Sequence, residues 1–435
     1  MAQSKSAERS TLKGGDTSWF VHDRFGMFIH WGLYALAGRH EWVKMRERIT
    51  DEAYQKYFDH FNPDLFDPAE WAKAARDAGM KYVVMTSKHH EGFCLWDSKQ
   101  TGYNAANTPY KRDVLKPMVK AFRQEGLRVG FYYSLIDWHH PEFPIDYLHP
   151  QRDDTAFKEK ERHRDIKKYA TYLHSQVREL LTDFGEIDIL WADFSYPMNG
   201  GKGRDDWQSE ALVGMIRKLQ PDILLNNRMD LPEASNFETP EQYVPLEGLT
   251  DRDGKPVIWE GCQTFSGSWG YYRDEASWKS TEMLVQMLIN HVSRGGNLLL
   301  NVGPTARGEF DYRALDRLRG IGEWMKRHSR SIYGCGPAPR DVIAPADCRY
   351  TYNGKAKRLY LHLFAWPFRD IHLPGLSGAV KYAQLLNDAS EVQFKDDGVP
   401  GNSPLGRRGP KAAVTLALPV VKPDAVVPVV ELFLD

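Results

Sequence analysis

The sequence predicts an α/β protein, a (β/α)8-like barrel followed by a smaller antiparallel β-sandwich. From about residue 25, short apolar runs alternate with stretches whose apolar residues have helical spacing. Gly79, Gly126 and Gly185 each end a helical stretch just before an apolar run. Beyond residue 336 the helical spacing stops and alternating runs take over, which indicates antiparallel strands.

The barrel is predicted to contain about eight strands, each followed by a helix. The strands are placed at residues 26–31, 82–86, 127–134, 187–190, 223–227, 236–239, 257–260 and 297–302. The helices are placed at residues 68–78, 115–125, 166–181, 212–219, 283–292 and 315–324. Two expected helices are missing between Arg228 and Val257, so the barrel is predicted to be irregular there.

The domain boundary is predicted where the pattern changes, with a catalytic barrel at residues 1–336 and a β-sandwich at residues 337–435. Asn353-Gly354 is a hairpin signal. The runs at 358–364, 414–418 and 426–434 read as strands. Residues 396–411 are rich in Gly and Pro, which predicts an exposed loop.

The composition excludes several classes of partner. Lys and Arg number 57 against 58 Asp and Glu, so neither nucleic acid nor a membrane surface is an expected partner. The four cysteines are widely spaced and match neither a zinc site nor a disulfide scaffold. No apolar run could span a bilayer, and residues 1–15 lack a signal-peptide core. A cytoplasmic chain or a mature periplasmic or secreted form is therefore expected, and no oligomeric state is predicted.

In a barrel of this kind, functional side chains follow the carboxyl ends of the strands. Asp193 follows the apolar run 187–190, and no helix start explains its carboxylate. A histidine after a strand is more often structural and a tryptophan more often packs, but here such residues recur at successive strand ends. The recurring set is His30, Trp31, His89, His90, Glu91, Tyr132, Tyr133, Asp137, Trp138, Trp191, Asp193, Arg228, Glu238, Glu241, Trp259, Glu260 and Asn301.

Metal-assisted hydrolysis is one chemistry that such a set could support. Imidazole ligands could come from His30, His89, His90, His139 and His140. Adjacent residues on a strand point to opposite sides, however, so His89-His90 suits a loop that contacts hydroxyl groups better than two ligands of one ion. Metal catalysis is therefore the second interpretation.

Glycoside hydrolysis by two carboxylates is the first interpretation. A retaining glycosidase needs an ionised nucleophile and a protonated acid about 5 Å apart. Asp193 suits the nucleophile because it lies on a rigid strand beside Trp191. The residues leave four candidates for the acid, which are Glu91, Glu238, Glu241 and Glu260.

Short motifs recur in order over nearly the whole chain. They are RFGMFIHWG at 24–32, KYVVMTSKHHEG at 81–92, GFYYSLIDW at 130–138, WAD at 191–193, NNR at 226–228, TPE at 239–241, SWGY at 268–271 and RGGNLLLNVGP at 294–304. The set resembles the retaining α-L-fucosidases of glycoside hydrolase family twenty-nine. That resemblance implies a barrel followed by a β-sandwich, as the pattern also predicts.

The resemblance also implies residue roles. Asp193 matches the nucleophile, and Glu241, in Phe-x-Thr-x-Glu, matches the acid/base of several members. Glu260 and then Glu238 are the alternatives for the acid/base, with a structural role favoured for Glu260. The implied substrate contacts are His30, Glu41, Trp42, His89, His90, Tyr132, Trp191 and Arg228, with Trp269 or phenylalanines walling the C6 methyl group of fucose.

The implied function is exo-acting, retaining hydrolysis of terminal α-L-fucosides from oligosaccharides or glycoconjugates by double displacement, without a metal or an organic cofactor. A metal-dependent hydrolase on the same barrel is one alternative. A fucose-binding protein without activity is the other, and the presence of both Asp193 and Glu241 argues against it. The sequence does not predict which fucoside linkage is cleaved.

Overall fold

A curled sheet of seven parallel strands forms the core of the computed structural model, which describes residue 12 and residues 14–396 and 413–435. The sheet order is β5-β4-β3-β2-β1-β7-β6. The strands are β1 (Phe25–Ile29), β2 (Tyr82–Lys88), β3 (Arg128–Ser134), β4 (Ile189–Asp193), β5 (Leu224–Leu225), β6 (Glu260–Thr264) and β7 (Asn297–Val302). Helices alternate with these strands except between β5 and β6, which confirms the predicted barrel-like α/β class.

The six predicted helices lie within a few residues of helices in the structure, which also contains shorter helices that were not predicted. The helix that begins at Pro68 does so because Asp67 caps it, accepting from the backbone nitrogens of Ala69 and Glu70. The helices are α1 (Ser18–Asp23), α2 (Tyr34–Ala37), α3 (Val43–Arg46), α4 (Asp51–Asp59), α5 (Pro68–Asp77), α6 (Leu115–Gln124), α7 (Thr155–Lys160), α8 (Ile166–Thr182), α9 (Arg204–Trp207), α10 (Ser209–Leu219), α11 (Thr281–Val292) and α12 (Tyr312–His328).

The barrel is irregular between β5 and β6, as predicted. Residues 228–257 are all described, and they contain short 3-10 turns but no α-helix. The strand predicted at 236–239 forms only isolated parallel bridges, which are Asn226 to Phe237, Glu238 to Trp259 and Glu241 to Cys262. This segment lies between the two edge strands and brings Glu241 to the open end of the barrel.

Two predicted strands need correction. The strand predicted at 223–227 is only Leu224–Leu225, because Asn227–Met229 turns into a 3-10 helix. The prediction at 257–260 was wrong, since the strand is Glu260–Thr264. Its polar side chains are buried because they find hydrogen-bond partners, Tyr82 and Trp191 inside the barrel for Glu260 and the carbonyl groups of Tyr243 and Ser266 for Gln263 and Thr264. An apolar pattern cannot reveal such partners. Glu260 therefore begins its strand and does not follow a carboxyl end.

Alternation along the strands sends successive side chains to opposite faces of the barrel. Ile189 and Trp191 pack in the inner cluster, whereas Leu190 and Ala192 pack in the outer one. On β3, Tyr132 is likewise inside and Tyr133 outside. Two residues beyond Trp191, Asp193 lies at the end of β4 on the inner face.

The carboxyl-terminal part contains two antiparallel sheets, in the orders β10-β13-β12 and β11-β14-β9-β8. Its strands are β8 (Cys348–Asn353), β9 (Arg358–Leu363), β10 (Asp370–Pro374), β11 (Val380–Leu385), β12 (Gln393–Asp396), β13 (Ala413–Ala417) and β14 (Val429–Leu434). A separate hydrophobic cluster fills this part, which confirms the sandwich. The division at residue 336 stays a prediction, and the loop predicted at 396–411 lies outside the described residues except for Asp396.

Gly303, just after β7, allows a close approach between two backbones. An added Cβ atom would lie 2.6 Å from the carbonyl carbon of Gly270 and 2.6 Å from the nitrogen of Tyr271. We expect Gly303→Ala to lower the free energy of unfolding by about 1–3 kcal/mol, because neither backbone has space to yield. Urea denaturation measures this loss.

The matched control is Gly214→Ala in α10, where an added Cβ meets no atom within 4 Å. Alanine favours the helix there, so stability should stay the same or rise by about 0.5–1 kcal/mol. Equal stability of the Gly303→Ala variant and the wild type would contradict the close approach.

Candidate active site

Asp193 accepts two short hydrogen bonds at the carboxyl end of β4. Tyr132 Oη donates to its Oδ2 and Arg228 Nη1 to its Oδ1, each at 2.7 Å. Burial and the nearby carboxylate raise the pKa of Tyr132 well above its ordinary value, so the phenol keeps its proton and remains a donor. Both donors stabilise negative charge on Asp193. Tyr133 points outward and donates to Gln176 instead.

Arg228 connects Asp193 to Glu241. Its Nη1 donates to Asp193 and its Nη2 donates to Glu241 Oε2 at 2.8 Å. The guanidinium also lies 4.6 Å from the centre of the Trp191 ring. Burial alone would lower the pKa of Arg228, but the Asp193 and Glu241 carboxylates raise it above its ordinary value. The side chain is therefore a fixed cation between the two predicted catalytic carboxylates.

The local chain before Arg228 explains this position. The Asn226 side chain donates to the Ala192 carbonyl at 2.8 Å and accepts from the Ala192 nitrogen at 3.1 Å. The Asn226 side chain thus continues the pairing with β4 beyond the end of β5. Arg228 then follows in a 3-10 turn, and its Nε donates to Thr239 Oγ1 at 2.9 Å.

The side chains of His30, His89 and His90 lie together beside Asp193. The ring centres of His89 and His90 are 4.0 Å apart, and those of His30 and His89 are 5.6 Å apart. β2 shifts register against β3 between Thr86 and Lys88, and the adjacent His89 and His90 both line the same cavity beyond its end. The predicted loop role thus agrees with their position.

The hydrogen-bond networks assign the tautomers of His30 and His90. Asn301 Nδ2 donates to the Trp269 carbonyl, so its Oδ1 accepts from His30 Nδ1 at 2.6 Å. Ser134 Oγ donates to the Ile136 carbonyl and therefore accepts from His90 Nδ1 at 2.7 Å. Burial and the charge that His89 can carry lower the pKa of both rings well below the ordinary value. Both are neutral, with Nε2 as an acceptor.

Glu41 joins two loops at the cavity wall. Its Oε2 accepts from Ser268 Oγ and from the backbone nitrogens of Trp269 and Gly270 at 2.9–3.1 Å. These bonds hold the Trp269 ring 5.1 Å from the His30 ring. The adjacent Trp42 packs edge-on against His90 at 4.9 Å. The segments 41–42 and 268–270, distant in sequence, thus form one side of the site.

The four acid candidates have different surroundings. Glu241 lines the cavity and its side chain is 42% exposed. Glu238 and Glu91 do not line it: Glu238 accepts from Asn227 Nδ2, and Glu91 is buried behind His89. Glu260 lies inside the barrel, where it hydrogen-bonds Tyr82 Oη at 2.5 Å and accepts from Trp191 Nε1 at 3.2 Å. The Glu260 partners belong to the barrel interior, not to loops.

The cavity measures about 840 Å³ and includes residues that neither the strand-end pattern nor the family resemblance singled out. Phe28 could have been found, since it lies two residues before His30 on β1 and therefore on the same face. The Phe194–Tyr196 segment directly follows Asp193. Asn227 stands in the NNR motif, and Cys262 lies on the strand β6 that was predicted at the wrong residues. The others come from α3 and from separate loops, where no short signal identifies them. The missed residues are Phe28, His40, Met45, Arg46, Phe194, Ser195, Tyr196, Asn227, Asp230, Gln242, Cys262 and Gly267.

Among the described residues, no group of three or more His, Cys, Asp or Glu side chains is arranged to hold a metal ion. Across the same residues, every helix is too short or too polar to cross a bilayer.

Glu260 should make stability depend on pH. Burial raises its pKa from the ordinary 4.5 to about 7, so the folded chain keeps a proton that the unfolded chain releases in that window. Wild-type stability should therefore fall as the pH rises from 4.5 to 7, while Glu260→Gln lacks this titration. Between about pH 4 and pH 8, the wild type should lose about 3 kcal/mol relative to the variant. Urea denaturation across the pH series tests this, and a constant difference would refute it.

Comparison with known proteins places this geometry in a family. The α-L-fucosidase family model matches residues 2–330. Human plasma α-L-fucosidase is 30% identical over 415 residues, covering 88% of this chain and 82% of the human protein. The structure of α-L-fucosidase isoenzyme 1 from Paenibacillus thiaminolyticus is 46% identical with a TM-score of 0.89, covering 98% of this chain and all 100% of that one.

A second solved structure is an α-L-fucosidase from Bacteroides thetaiotaomicron, trapped as a covalent intermediate in complex with 2-fluoro-fucosyl fluoride. It is 28% identical with a TM-score of 0.81, and the match covers 97% of this chain and 98% of that one. The family model spans most of the chain, and the similar structures extend over both the barrel and the sandwich. The chain belongs to the α-L-fucosidase family.

Proposed function

We propose that this α-L-fucosidase cleaves terminal α-L-fucosides by double displacement, with Asp193 as the nucleophile and Glu241 as the acid/base. The observation that carries the proposal is the Arg228 fork, which binds Asp193 and Glu241 through its two terminal nitrogens at 2.7 and 2.8 Å. A retaining glycosidase needs two carboxylates on either side of one scissile bond. Two carboxylates that share one guanidinium are close enough to flank the same bond.

Asp193 has the surroundings of a nucleophile. It lies at the end of a buried strand, and its two donors hold the carboxylate in place and stabilise its charge. In the first displacement it would attack the anomeric carbon to form a fucosyl-enzyme. The covalent intermediate trapped in the Bacteroides relative supports this route.

Glu241 has the mobility that the second role requires. A general acid must present a proton to the leaving oxygen, so Glu241 has to turn from Arg228 when a fucoside enters. Its exposed side chain, on a segment with only isolated bridges to the sheet, has room for this turn. After the aglycone departs, the same carboxylate would activate the water that hydrolyses the fucosyl-enzyme.

The remaining cavity residues suit a deoxy sugar. His30 and His90 offer neutral Nε2 acceptors to hydroxyl groups, while Glu41 Oε1 is buried without a hydrogen-bond partner among the described residues. Phe28 and Trp269, with ring centres 5.9 Å apart, supply an apolar wall for the C6 methyl group. The barrel interior beneath Trp191 is filled by side chains, which supports exo-action.

The aglycone would occupy the outer part of the cavity. At about 840 Å³ it exceeds what one monosaccharide fills, within the usual range of about 300–1,000 Å³ for ligand pockets. Arg46, Tyr196, Asp230 and Gln242 could contact this part of a fucosylated oligosaccharide or glycoconjugate. A panel of oligosaccharides with different fucoside linkages, run beside an aryl fucoside, would identify the preferred one.

Removing the nucleophile tests the first role. Asp193→Gly should lower the turnover of an aryl α-L-fucoside by at least about 10³-fold, because no group remains to form the covalent intermediate. Azide should partly restore turnover and give a fucosyl azide of inverted configuration. Near-normal activity of the variant would end the assignment of Asp193.

Removing the acid tests the second role. Glu241→Ala should lower kcat/KM by about 10²–10⁴-fold on natural fucosides, which need protonation of the leaving oxygen, and far less on aryl fucosides with good leaving groups. Steady-state kinetics on both substrate types measure the difference. Glu260→Ala is the comparison, since that carboxyl lies inside the barrel. If only Glu260→Ala has this leaving-group dependence, the two roles must be exchanged.

A further inference from the structure

Glu91 is a buried carboxylate that the proposed mechanism leaves unused. Its side chain is only 1% exposed, and neither oxygen has a hydrogen-bond partner among the described residues. Burying such a group without a partner is unfavourable. Its surroundings should therefore contain a group that repays this cost when the site is occupied.

The nitrogen beside it belongs to a predicted sugar contact. Glu91 Oε2 lies 3.3 Å from His89 Nδ1, in a geometry too misaligned for a hydrogen bond. Hydrogen bonds in active sites are often long or misaligned without substrate and tighten in the complex. Gly32 leaves room for the carboxylate, since a Cβ atom added there would lie 2.8 Å from Glu91 Oε1.

The partners of the three imidazoles differ in charge. Neutral groups hold Nδ1 of the other two rings, namely the Asn301 amide for His30 and the Ser134 hydroxyl for His90. His89 alone of these three has a carboxylate at Nδ1. A carboxylate behind a histidine fixes the tautomer and strengthens the opposite nitrogen as an acceptor.

We propose that Glu91 is a positioning residue, which holds the His89 proton at Nδ1 and so makes Nε2 a strong acceptor for one hydroxyl group of the fucose ring. Glu91 does not line the cavity whereas His89 does, so Nε2 is the nitrogen left for the sugar. The inference rests on the proposed function and adds to it one residue that acts through another.

The test combines Glu91→Gln with substrates that lack single hydroxyl groups. Glutamine keeps the shape but removes the charge, and its amide accommodates either tautomer of His89. On an aryl α-L-fucoside the variant should lose about 10-fold or more in kcat/KM, the range for a charge-assisted hydrogen bond. The 2-, 3- and 4-deoxy analogues are then measured with the wild type, Glu91→Gln and His89→Ala.

On one analogue, His89→Ala should no longer lower kcat/KM relative to the wild type. The hydroxyl group missing from that analogue is the one that His89 binds. The effect of Glu91→Gln should shrink to within about threefold on that analogue alone, because coupled groups give non-additive losses. A merely structural role would instead give equal losses on every substrate. Equal losses, or no loss on the parent fucoside, would overturn the proposal.

Two controls separate this result from misfolding and from failure of the proposed function. Glu431→Gln replaces another buried glutamate, which is 2% exposed and lies on β14 of the carboxyl-terminal part. It should leave kcat/KM within about twofold, because Glu431 does not line the cavity and distant sites act independently. Histidine ¹⁵N spectra with bound fucose should place the His89 proton at Nδ1 in the wild type and at both nitrogens in exchange in Glu91→Gln. If Asp193→Gly is inactive but Glu91→Gln matches the wild type in both readouts, only the Glu91 proposal fails.

Discussion

The paired bonds of Arg228 to two carboxylates are the interaction on which the rest of the site depends. A largely buried guanidinium needs anionic partners, and Asp193 and Glu241 supply them from different segments. Trp191 beneath the guanidinium and Thr239 beside it complete its surroundings. If Glu241 acts as the acid, its bond to Arg228 must break, while the bond from Arg228 to Asp193 keeps Asp193 in place.

The barrel interior supports this interaction from below. Trp191 lies between Arg228 above and Glu260 below, and its ring stacks 5.9 Å from that of Tyr132. Tyr132 in turn donates to Asp193. Glu260, buried at the amino end of β6, thus orients Trp191, against which the Arg228 guanidinium packs. The structural role favoured for Glu260 agrees with this position, although its strand was predicted at the wrong residues.

Groups behind the histidine rings that line the cavity determine which nitrogens accept hydrogen bonds. Asn301 and Ser134 come from β7 and β3, while Glu91 follows β2. Asn301 and Ser134 lie on strands other than the one that precedes the histidine each contacts. Glu91 lies behind His89 on the same segment. The parallel sheet therefore determines where the histidines lie and, for His30 and His90, which nitrogen each presents to the cavity.

The sequence by itself determined the fold class and the position of Asp193, because alternation on a buried strand and glycine stops are local signals. The family motifs further identified His30, His89, His90, Glu41 and Arg228, all of which line the cavity. Only the tertiary structure decided between Tyr132 and Tyr133, placed Glu260 inside the barrel and placed Glu91 beside His89. Those outcomes depend on contacts between segments far apart in the chain, where neither spacing nor hydropathy carries information about the partner.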